Sequence, residues 1–386
     1  MDHGKIDRSG FSAAEQQRYD RHFLLPGFGE GAQRKLKNGC VLVIGAGGLG
    51  SPLLLYLAAA GVGQIGIVDF DEVDASNLHR QVIFDEAQIG ESKVEAAKAR
   101  LQGINPLINI VSYSQRLTSA NAMEIITGYD VVADGSDNFA TRYLVNDACV
   151  LAGKPNVYGS IFQFEGQVSV FNHRDEKGRY GPNYRDLFPS PPPSGLVPNC
   201  AETGVLGVLP GIIGSMQALE VIKILAGIGE VMSGRLWLFD ALAFESRTIK
   251  IGKRADNPLN GEHPTIHRLI DYEAFCGVGQ GSDIKGISVD EFQEMKRGEA
   301  DFQLVDVREA QEYRRKNIGG FPIPLSRLEE LHEQIAKDKK VIIHCESGAR
   351  SATAIRTLAE LYGYTNLYNL EGGIRAYLAA FPPVQS

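Results

Sequence analysis

The chain has 386 residues, of which 44% are hydrophobic and 22% charged, with a formal net charge of −8 at pH 7. This length suffices for two or three globular domains, and the acidic balance argues against nucleic acid or an anionic membrane as the main partner. Five scattered cysteines, a polar N-terminus and the lack of an apolar run long enough to span a bilayer predict a cytoplasmic protein with free thiols.

The N-terminal region predicts a short helix over Ser12–Asp20, capped by Ser12. Arg21 follows it. That residue is either an ordinary surface charge or a cation that reaches the phosphates of a nucleotide held by a neighbouring subunit.

The next stretch has the order strand, glycine turn, helix, strand and acid. Val41–Ile44 and Ile65–Val68 are apolar and predict buried strands, Ser51–Ala60 predicts a helix, and Asp69 ends the second strand. The turn has the spacing G-x-G-x-x-G, formed by Gly45, Gly47 and Gly50. Such glycines allow close approach of phosphate to the backbone and to a helix N-terminus, while the acid accepts hydrogen bonds from a ribose. The pattern therefore predicts a nucleotide-binding βαβ unit.

Three polar residues follow the ribose-binding acid. They are Asn77, Arg80 and Lys93, the last near the start of a helix predicted over Gly90–Leu101. Each by itself is compatible with a solvated charge or a cap. Together they favour a reacting triphosphate, whose charge must be neutralised in the transition state, over the diphosphate of a hydride-transfer cofactor.

Further strands are predicted over Ile108–Tyr113 and Asp130–Ala133. Asp134 and Asp137 follow the second, at a carboxyl end where ligands bind in open α/β sheets. Asp137 is therefore a candidate Mg²⁺ ligand, and the alternative is an N-cap of the helix that runs through Asn146.

The remainder of the first domain is predicted to contain antiparallel strands within Val157–Phe171, then an irregular loop that includes Cys200. A hydrophobic helix is predicted over Val205–Leu225, followed by closing strands at Arg235–Phe239 and Ser246–Ile251. We place the first domain at residues 12–254, a linker at 255–286 and a second domain at 287–386.

The second domain is also predicted to be α/β. A helix over Val289–Arg297 is followed by strands over Phe302–Val307 and Val341–His344, and by a helix over Ala352–Tyr362. Cys345 lies between the last strand and the last helix. A loop of inward-facing N–H groups before a helix lowers the pKa of a thiol and stabilises a sulfur anion.

The first domain resembles the ubiquitin-activating-like adenylyltransferases of sulfur-carrier systems. The resemblance is carried by RYDRHFLLPGFGEGAQRKL, GAGGLGSP, DFDEVDASNLHRQVIF, DGSDNFATRYLVNDACV and VPNCAETGVLGVLPGIIG. It implies an α/β, Rossmann-like adenylation domain that uses ATP and Mg²⁺ to adenylate the C-terminal glycine of a β-grasp carrier ending in Gly-Gly. It also implies contacts to ATP from Gly48, Asp69, Asn77, Arg80 and Lys93, contact to Mg²⁺ from Asp137, and donation of Arg21 across a homodimer.

Two further features concern this resemblance. Cys200 matches a cysteine that forms a thioester or an acyl-disulfide with the carrier in fused members, although a lone cysteine is more commonly a buried apolar residue. Many members also hold a structural zinc in two Cys-x-x-Cys pairs, whose places are taken here by Asn183, Asp186, Asn260 and His263. Since these are poor zinc ligands, we expect no zinc and a region held by packing alone.

The second domain resembles a rhodanese. The matching motifs are DVRE (Asp306–Glu309), IPL (Ile323–Leu325), HCESGARS (His344–Ser351) and LEGGIRAYL (Leu370–Leu378). The resemblance implies that Cys345 carries a persulfide and that Arg350 adds positive charge. A phosphatase shares the strand, cysteine loop and arginine, but four residues separate Cys345 from Arg350 where phosphatases have five, and the shorter loop suits sulfur better.

The sequence thus predicts a fused adenylyltransferase and sulfurtransferase that forms a thiocarboxylate on its carrier. The sulfur donor is expected to be thiosulfate or a cysteine desulfurase, and the product to serve molybdenum cofactor biosynthesis or another sulfur pathway. Two alternatives stay open: an NAD-dependent oxidoreductase with an added thiol domain, and a non-catalytic scaffold that docks the carrier.

Overall fold

The computed structural model describes residues 10–192, 204–276, 284–298 and 300–382. Contacts divide the chain into two compact units: of the described residues, the first contains 10–191 and 204–276, and the second contains Pro192 and the residues after Cys276.

The first unit is built on one eight-stranded sheet. Its strands are β1 (Cys40–Ile44), β2 (Gln64–Asp69), β3 (Asn109–Ser114), β4 (Val131–Asp134), β5 (Asn156–Phe162), β6 (Glu165–Phe171), β7 (Arg235–Asp240) and β8 (Glu245–Lys250). Their order in the sheet is β3-β2-β1-β4-β5-β6-β7-β8. The first five strands in this order are parallel to one another, and β6, β7 and β8 each run antiparallel to the strand before them. The direction of strand addition reverses between β1 and β4, which is where open α/β sheets bind ligands.

Helices precede and connect these strands. They are α1 (Ala13–Arg18), α2 (Asp20–Phe23), α3 (Gly29–Asn38), α4 (Gly50–Ala60), α5 (Lys93–Ile104), α6 (Ala122–Thr127), α7 (Phe139–Ala152), α8 (Tyr184–Leu187), α9 (Leu209–Ala226) and α10 (Tyr272–Phe275). Ser12 caps α1 through a capping box with Glu15, as its position in the sequence predicts. Helix α5 begins three residues later than expected, at Lys93.

The prediction that the chain has no apolar run long enough to span a bilayer is wrong for helix α9. By length and composition alone its 18 residues qualify, with a mean hydropathy of 1.4. In the structure the helix packs on the sheet, where the amide of the fully buried Gln217 donates to the carbonyl of Asp134 at 2.7 Å and to that of Val157 at 3.1 Å. Its apolar surface is therefore part of the protein core.

Residues 255–276, which fall in the predicted linker, pack against the first unit. Arg185 and Asp147 form a buried ion pair with 2.7 Å between Nη2 and Oδ2, and the hydroxyl of Tyr272 donates to the same carboxylate oxygen at 2.8 Å. The Arg185 guanidinium also lies 4.7 Å from the centre of the Phe275 ring. This segment is therefore held both by its hydrogen bond to the buried ion pair and by apolar packing, since Leu269, Ile270 and Tyr272 join a hydrophobic core cluster of the first unit.

The second unit has a five-stranded parallel sheet of order β11-β10-β12-β13-β9. Its strands are β9 (Lys285–Ile287), β10 (Phe302–Asp306), β11 (Phe321–Pro322), β12 (Lys340–His344) and β13 (Leu367–Leu370). Its helices are α11 (Val289–Arg297), α12 (Ala310–Arg315), α13 (Leu328–Leu331), α14 (Ala349–Tyr362) and α15 (Gly373–Ala380). The predicted two α/β domains, the first Rossmann-like, are confirmed.

Candidate functional site

The glycine turn between β1 and α4 is closely packed. A Cβ atom on Gly50 would lie 2.0 Å from the carbonyl oxygen of Gly45, and Gly45 has a φ of +88°. A Cβ on Gly45 would in addition lie 3.1 Å from the carbonyl oxygen of Gly135, in the loop after β4. Glycine is thus required at position 50 because the Gly45 carbonyl lies so close, and at position 45 because the backbone there is left-handed. The turn leaves the N-terminus of α4 open to an anion.

Asp69 supports this turn from the end of β2. Its carboxylate accepts hydrogen bonds from the backbone N–H of Ala46 at 2.8 Å and from that of Asp71 at 2.9 Å. Burial raises the pKa of Asp69, and these two N–H groups and the charge of Lys93 offset only part of that effect. Each carboxylate oxygen keeps a second lone pair, so the group can still accept from a ribose hydroxyl.

Arg80 and Asn77 lie beside the turn. A Cβ atom on Gly48 would lie 3.6 Å from Cγ of Arg80, and the Arg80 guanidinium donates to Asn77 Oδ1 at 3.4 Å. The amide of Gln81 donates to the same oxygen at 2.6 Å. The structure therefore brings Gly48, Asn77 and Arg80 together, with Gln81 as a supporting residue that sequence reasoning missed.

Lys93, the first residue of α5, is a buried cation. Its Nζ lies 2.9 Å from Oδ2 of Asp71, and its side chain is 6% exposed whereas that of Asp71 is 50% exposed. Asp71 lies two residues after Asp69, which links Lys93 to the acid at the end of β2 through a short segment of chain. Asp71 also escaped sequence reasoning, because a partner that distant along the chain leaves no local pattern.

The two acids after β4 differ sharply. Asp134 is buried, burial raises its pKa, and its Oδ2 has no hydrogen-bond partner within the described part of the chain. Asp137 is exposed, and its nearest polar contact is the Asn138 amide at 3.4 Å. Asn138 caps α7 by accepting from the Thr141 N–H at 2.9 Å. Since Asp137 is not the cap, its carboxylate is available to a hard cation.

Two predicted residues cannot be joined to this group. Arg21, in α2, is exposed, and no hydrogen bond or ion pair among the described residues joins it to the turn. Cys200 lies outside the residues that the structure describes.

The positions expected to replace a zinc site come together, but as a hydrogen-bond network. The Asn183 amide donates to Asn260 Oδ1 at 3.0 Å, and Asp186 accepts from the Asn183 N–H and the Asn257 amide, each at 2.8 Å. His263 is exposed. Their oxygens already accept hydrogen bonds and no thiolate is among them, so these residues fit zinc poorly. The region is held by hydrogen bonds, not by packing alone as the sequence suggested.

The second candidate site is the loop between β12 and α14. Cys345 is buried, and its sulfur accepts from the Gly348 N–H at 3.1 Å. Ser351 Oγ lies 3.5 Å from the same sulfur. Gly348 is the N-cap of the 14-residue helix α14, so the positive end of the helix faces the sulfur. This arrangement can hold an anionic sulfur.

Arg350 does not supply an uncompensated charge to this loop. Its guanidinium donates both hydrogen bonds to Glu312 in α12, each at 2.8 Å. Burial acts to raise the pKa of Glu312, but the bonds from Arg350 and from the Glu309 N–H outweigh it and lower the pKa overall. The pair shapes the loop, and the sulfur contacts come from the backbone and from Ser351.

A second arginine braces the loop from β10. Arg308 is buried and bonds Asp306 at 2.7 Å, and it also reaches Glu346 Oε2, in the residue after Cys345, at 3.3 Å. The neighbouring His344 is fully buried, and burial lowers its pKa. His344 Nε2 lies 3.7 Å from Asp306, beyond hydrogen-bond distance, so we treat the imidazole as neutral.

A glycine turn flanked by basic residues and a cysteine loop before a helix, on separate α/β units, are the features expected of a nucleotide-dependent activating enzyme with a sulfurtransferase domain. The chain belongs to the ThiF family, which matches residues 19–260, and residues 288–380 match the rhodanese-like domain. The predicted family, fold class and enzyme class, an adenylyltransferase joined to a sulfurtransferase, are confirmed.

Curated relatives agree along the whole chain. The probable adenylyltransferase/sulfurtransferase MoeZ of Mycobacterium tuberculosis is 46% identical over 383 residues, covering 97% of this chain and 96% of the relative. The adenylyltransferase and sulfurtransferase MOCS3 of Mus musculus is 42% identical, covering 96% and 87%. The sulfur carrier protein adenylyltransferase of Thermus thermophilus is 53% identical over 264 residues, covering 68% and 97%.

Among solved structures, Escherichia coli MccB with ATP has a TM-score of 0.54 and 21% identity, covering 63% of this chain and 74% of that one. This likeness concerns the fold.

Proposed function

We propose that this enzyme uses ATP to adenylate the C-terminal glycine of a ubiquitin-like sulfur carrier, and that Cys345 then supplies sulfur as a persulfide. The observation that carries the proposal is the presence, in one chain, of a crowded glycine turn with Arg80 beside it and a cysteine whose sulfur faces a helix N-terminus.

In the first reaction the carrier carboxylate attacks the α-phosphate of ATP, forming an acyl–adenylate bond and releasing pyrophosphate. The turn at Gly45–Gly50 would hold phosphate, Asp69 would accept from the ribose, and Arg80 and Lys93 would balance the spreading negative charge. Asp137 would hold Mg²⁺, which supplies further charge neutralisation when bound. For Lys93 this role requires it to leave Asp71 or share its charge with the phosphates.

A cavity of about 710 Å³, closed on one side by residues 268–273, reaches Asn138, the residue after Asp137. Its walls include residues 116–120, which follow β3, and residues 138–144, which follow Asp137. Both segments are at the carboxyl edge of the sheet, beside the strand that ends in Asp69. We place the base of the nucleotide in this cavity.

In the sulfur reactions, the Cys345 thiolate attacks the outer sulfur of a donor persulfide, R–S–SH. A new sulfur–sulfur bond forms at Cys345 and the donor bond breaks. The leaving group is R–S⁻, which takes a proton from water, or sulfite when thiosulfate is the donor. The Cys345 persulfide next displaces AMP from the acyl-adenylate and forms an acyl-disulfide. A second thiolate cleaves that disulfide, which releases the carrier thiocarboxylate and leaves a disulfide that an external thiol must reduce.

Several finer assignments belong to the same proposal. Cys200 is our candidate for the second thiolate. The alternatives are that it forms a thioester or an acyl-disulfide with the carrier, or neither of these. Arg21 would be donated across a homodimer, the donor would be thiosulfate or a cysteine desulfurase, and the product would serve molybdenum cofactor biosynthesis. The protein would hold no structural zinc. About one zinc per chain in elemental analysis of protein purified without a metal-binding tag would show this to be wrong.

The central test combines ATP–pyrophosphate exchange with mass spectrometry of a carrier that ends in Gly-Gly. We expect Mg²⁺-dependent exchange and, with a sulfur donor, a carrier in which one terminal oxygen is replaced by sulfur. Carrier binding without exchange would instead indicate a docking scaffold, and tight NAD binding without exchange would indicate an oxidoreductase.

A further inference from the structure

One side chain controls both polar neighbours of the Cys345 sulfur. Asn369, near the end of β13, donates from Nδ2 to the carbonyl of Gly348 at 3.0 Å and accepts at Oδ1 from the hydroxyl of Ser351 at 2.6 Å. Gly348 and Ser351 are the two residues whose N–H and Oγ contact the sulfur. Asn369 therefore acts on Cys345 only through them.

The orientation of the Asn369 amide follows from its partners. The carbonyl of Gly348 can only accept, so the NH₂ group of Asn369 must face it, and Oδ1 must then face Ser351. The hydroxyl of Ser351 has one proton, and its distance to Asn369 Oδ1, 2.6 Å, is shorter than its distances of 3.1 Å to the Gly348 oxygen and 3.5 Å to the sulfur. Because the contact with Asn369 is the shorter of the two oxygen–oxygen distances, we assign the proton to Asn369, which leaves a lone pair of Ser351 directed at Cys345.

This lone pair distinguishes the protonation states of the sulfur. A thiol can donate its S–H to the lone pair of Ser351, whereas a thiolate would face it without a donor. An ionised sulfur gains the Ser351 hydrogen bond only if the hydroxyl turns away from Asn369, which leaves a part-buried amide oxygen without its donor. Asn369 and the ionised sulfur therefore compete for one proton.

We propose that Asn369 is a positioning residue of the sulfur site, which fixes the loop through Gly348 and withholds the Ser351 proton from Cys345 until the sulfur ionises. The inference rests on the proposed persulfide role of Cys345 for its purpose, but the competition itself concerns the free thiol.

Other charges surround the loop and stay constant when Asn369 or Ser351 is replaced by a neutral residue. Taken from every element packed against the loop, these charged or titratable groups are Asp306, Arg308, Glu312, His344, Glu346, Arg350 and Arg375. A change in the ionisation of Cys345 in such variants therefore reports the hydrogen bonds that run from Asn369 through Gly348 and Ser351 to the sulfur. We call this set of hydrogen bonds the relay.

The experiment measures the pH dependence of Cys345 alkylation by iodoacetamide in the full-length protein, read by peptide mass spectrometry so that other cysteines do not interfere. Asn369→Leu keeps the side-chain size and removes the shortest acceptor of the Ser351 proton, so that an ionised sulfur competes for it only with the neutral carbonyl of Gly348. We expect the midpoint to fall by about one pH unit, which is a tenfold gain in thiolate at a given pH below it. In a Ser351→Ala background the same substitution should leave the midpoint unchanged.

Two further variants complete the test. Asn369→Asp keeps an acceptor for the Ser351 proton and adds a charge, so it should raise the midpoint, and it carries the test if Asn369→Leu does not fold. Tyr368→Phe changes the neighbouring residue of β13, which points away from the relay by strand alternation, and should leave the midpoint at the wild-type value.

The proposal is overturned if Asn369→Leu leaves the midpoint unchanged or raises it, or if it lowers the midpoint equally with and without the Ser351 hydroxyl. It is also overturned if Asn369→Asp lowers the midpoint. Failure of wild-type Cys345 to take sulfur from any donor would refute the proposed function instead. The alkylation profiles would still show whether Asn369 controls the Ser351 proton.

Discussion

The two candidate sites use the same local architecture for anions of different size. In each, a buried parallel strand ends in a tight turn and a helix begins: β1 and α4 around Gly45–Gly50, and β12 and α14 around Cys345. The first site has two cations: Arg80, which packs on Gly48 and hydrogen-bonds to neutral groups, and Lys93, which is paired with Asp71. In the second, both nearby guanidiniums are already bound to carboxylates.

The difference follows from the charge that each site must hold. A triphosphate carries several negative charges, so backbone N–H groups alone cannot balance it and side-chain cations are needed. A persulfide carries one charge on a small group, for which a helix N-terminus, one N–H and one hydroxyl suffice. Cations near the sulfur can therefore serve to brace the loop.

The largest expected effect separates the two sites completely. Cys345→Ala should abolish sulfur transfer while leaving ATP–pyrophosphate exchange intact, because no nucleotide contact is touched. Carrier mass spectrometry and exchange assays measure the two activities on one sample. The half-buried Cys276 offers a matched control, since Cys276→Ala should retain both. Thiocarboxylate formed by the Cys345 variant at the wild-type rate would remove the persulfide role.

At the first site, Asp137→Ala should lower the pyrophosphate exchange rate by about 100-fold or more, because the cation that balances the phosphates is lost. Its exposure predicts an unchanged melting temperature. Glu124→Gln, another exposed acid of the same unit, should keep the wild-type exchange rate. Normal exchange by the Asp137 variant would refute the Mg²⁺ assignment and weaken the contrast between the sites.

The close packing of the glycine turn between β1 and α4 predicts an effect on stability. Gly50→Ala should lower the free energy of unfolding by about 3 kcal/mol, since its Cβ would overlap the Gly45 carbonyl. Denaturant titration measures this. The matched control is Gly103→Ala in α5, where a Cβ meets no atom within 4 Å and a small gain in stability is expected. Equal stabilities for the two variants would show that the turn is not crowded.

The smallest effect concerns the strand before Cys345. Burial lowers the pKa of His344, so the unfolded chain binds a proton below pH 6.5 that the folded domain does not. The free energy of unfolding should therefore lose nothing to His344 well above pH 6.5. It should decrease as the pH drops from 6.5 toward the folded-state pKa, by at most about 1.4 kcal/mol per pH unit. Hydrogen exchange of β12 in the full chain reports it, and His344→Leu should remove that slope. If the His344→Leu variant kept the same pH dependence, groups other than His344 would be its cause.

Local sequence patterns predicted most elements because each carries its own periodicity. Strands β1 and β2 and helix α4 begin and end within one residue of their predicted limits, and α11 matches Val289–Arg297 in full. The prediction missed β13 and α15, since a four-residue strand followed by two glycines has too little periodicity to detect. Asn369 lies in that missed strand, so its role in the cysteine loop could not be foreseen.

By itself the sequence determined the two α/β units, the crowded turn and the position of Cys345 between a strand and a helix, because those features depend on residues close together in the chain. Only the tertiary structure decided the partners of the charged groups: Asp71 for Lys93, Glu312 for Arg350, and Asn369 for Ser351. The physical reason is that an ion pair or hydrogen bond depends on distance in space. Partners 18 to 38 residues apart leave no pattern in the chain until the sheet brings their strands and helices together.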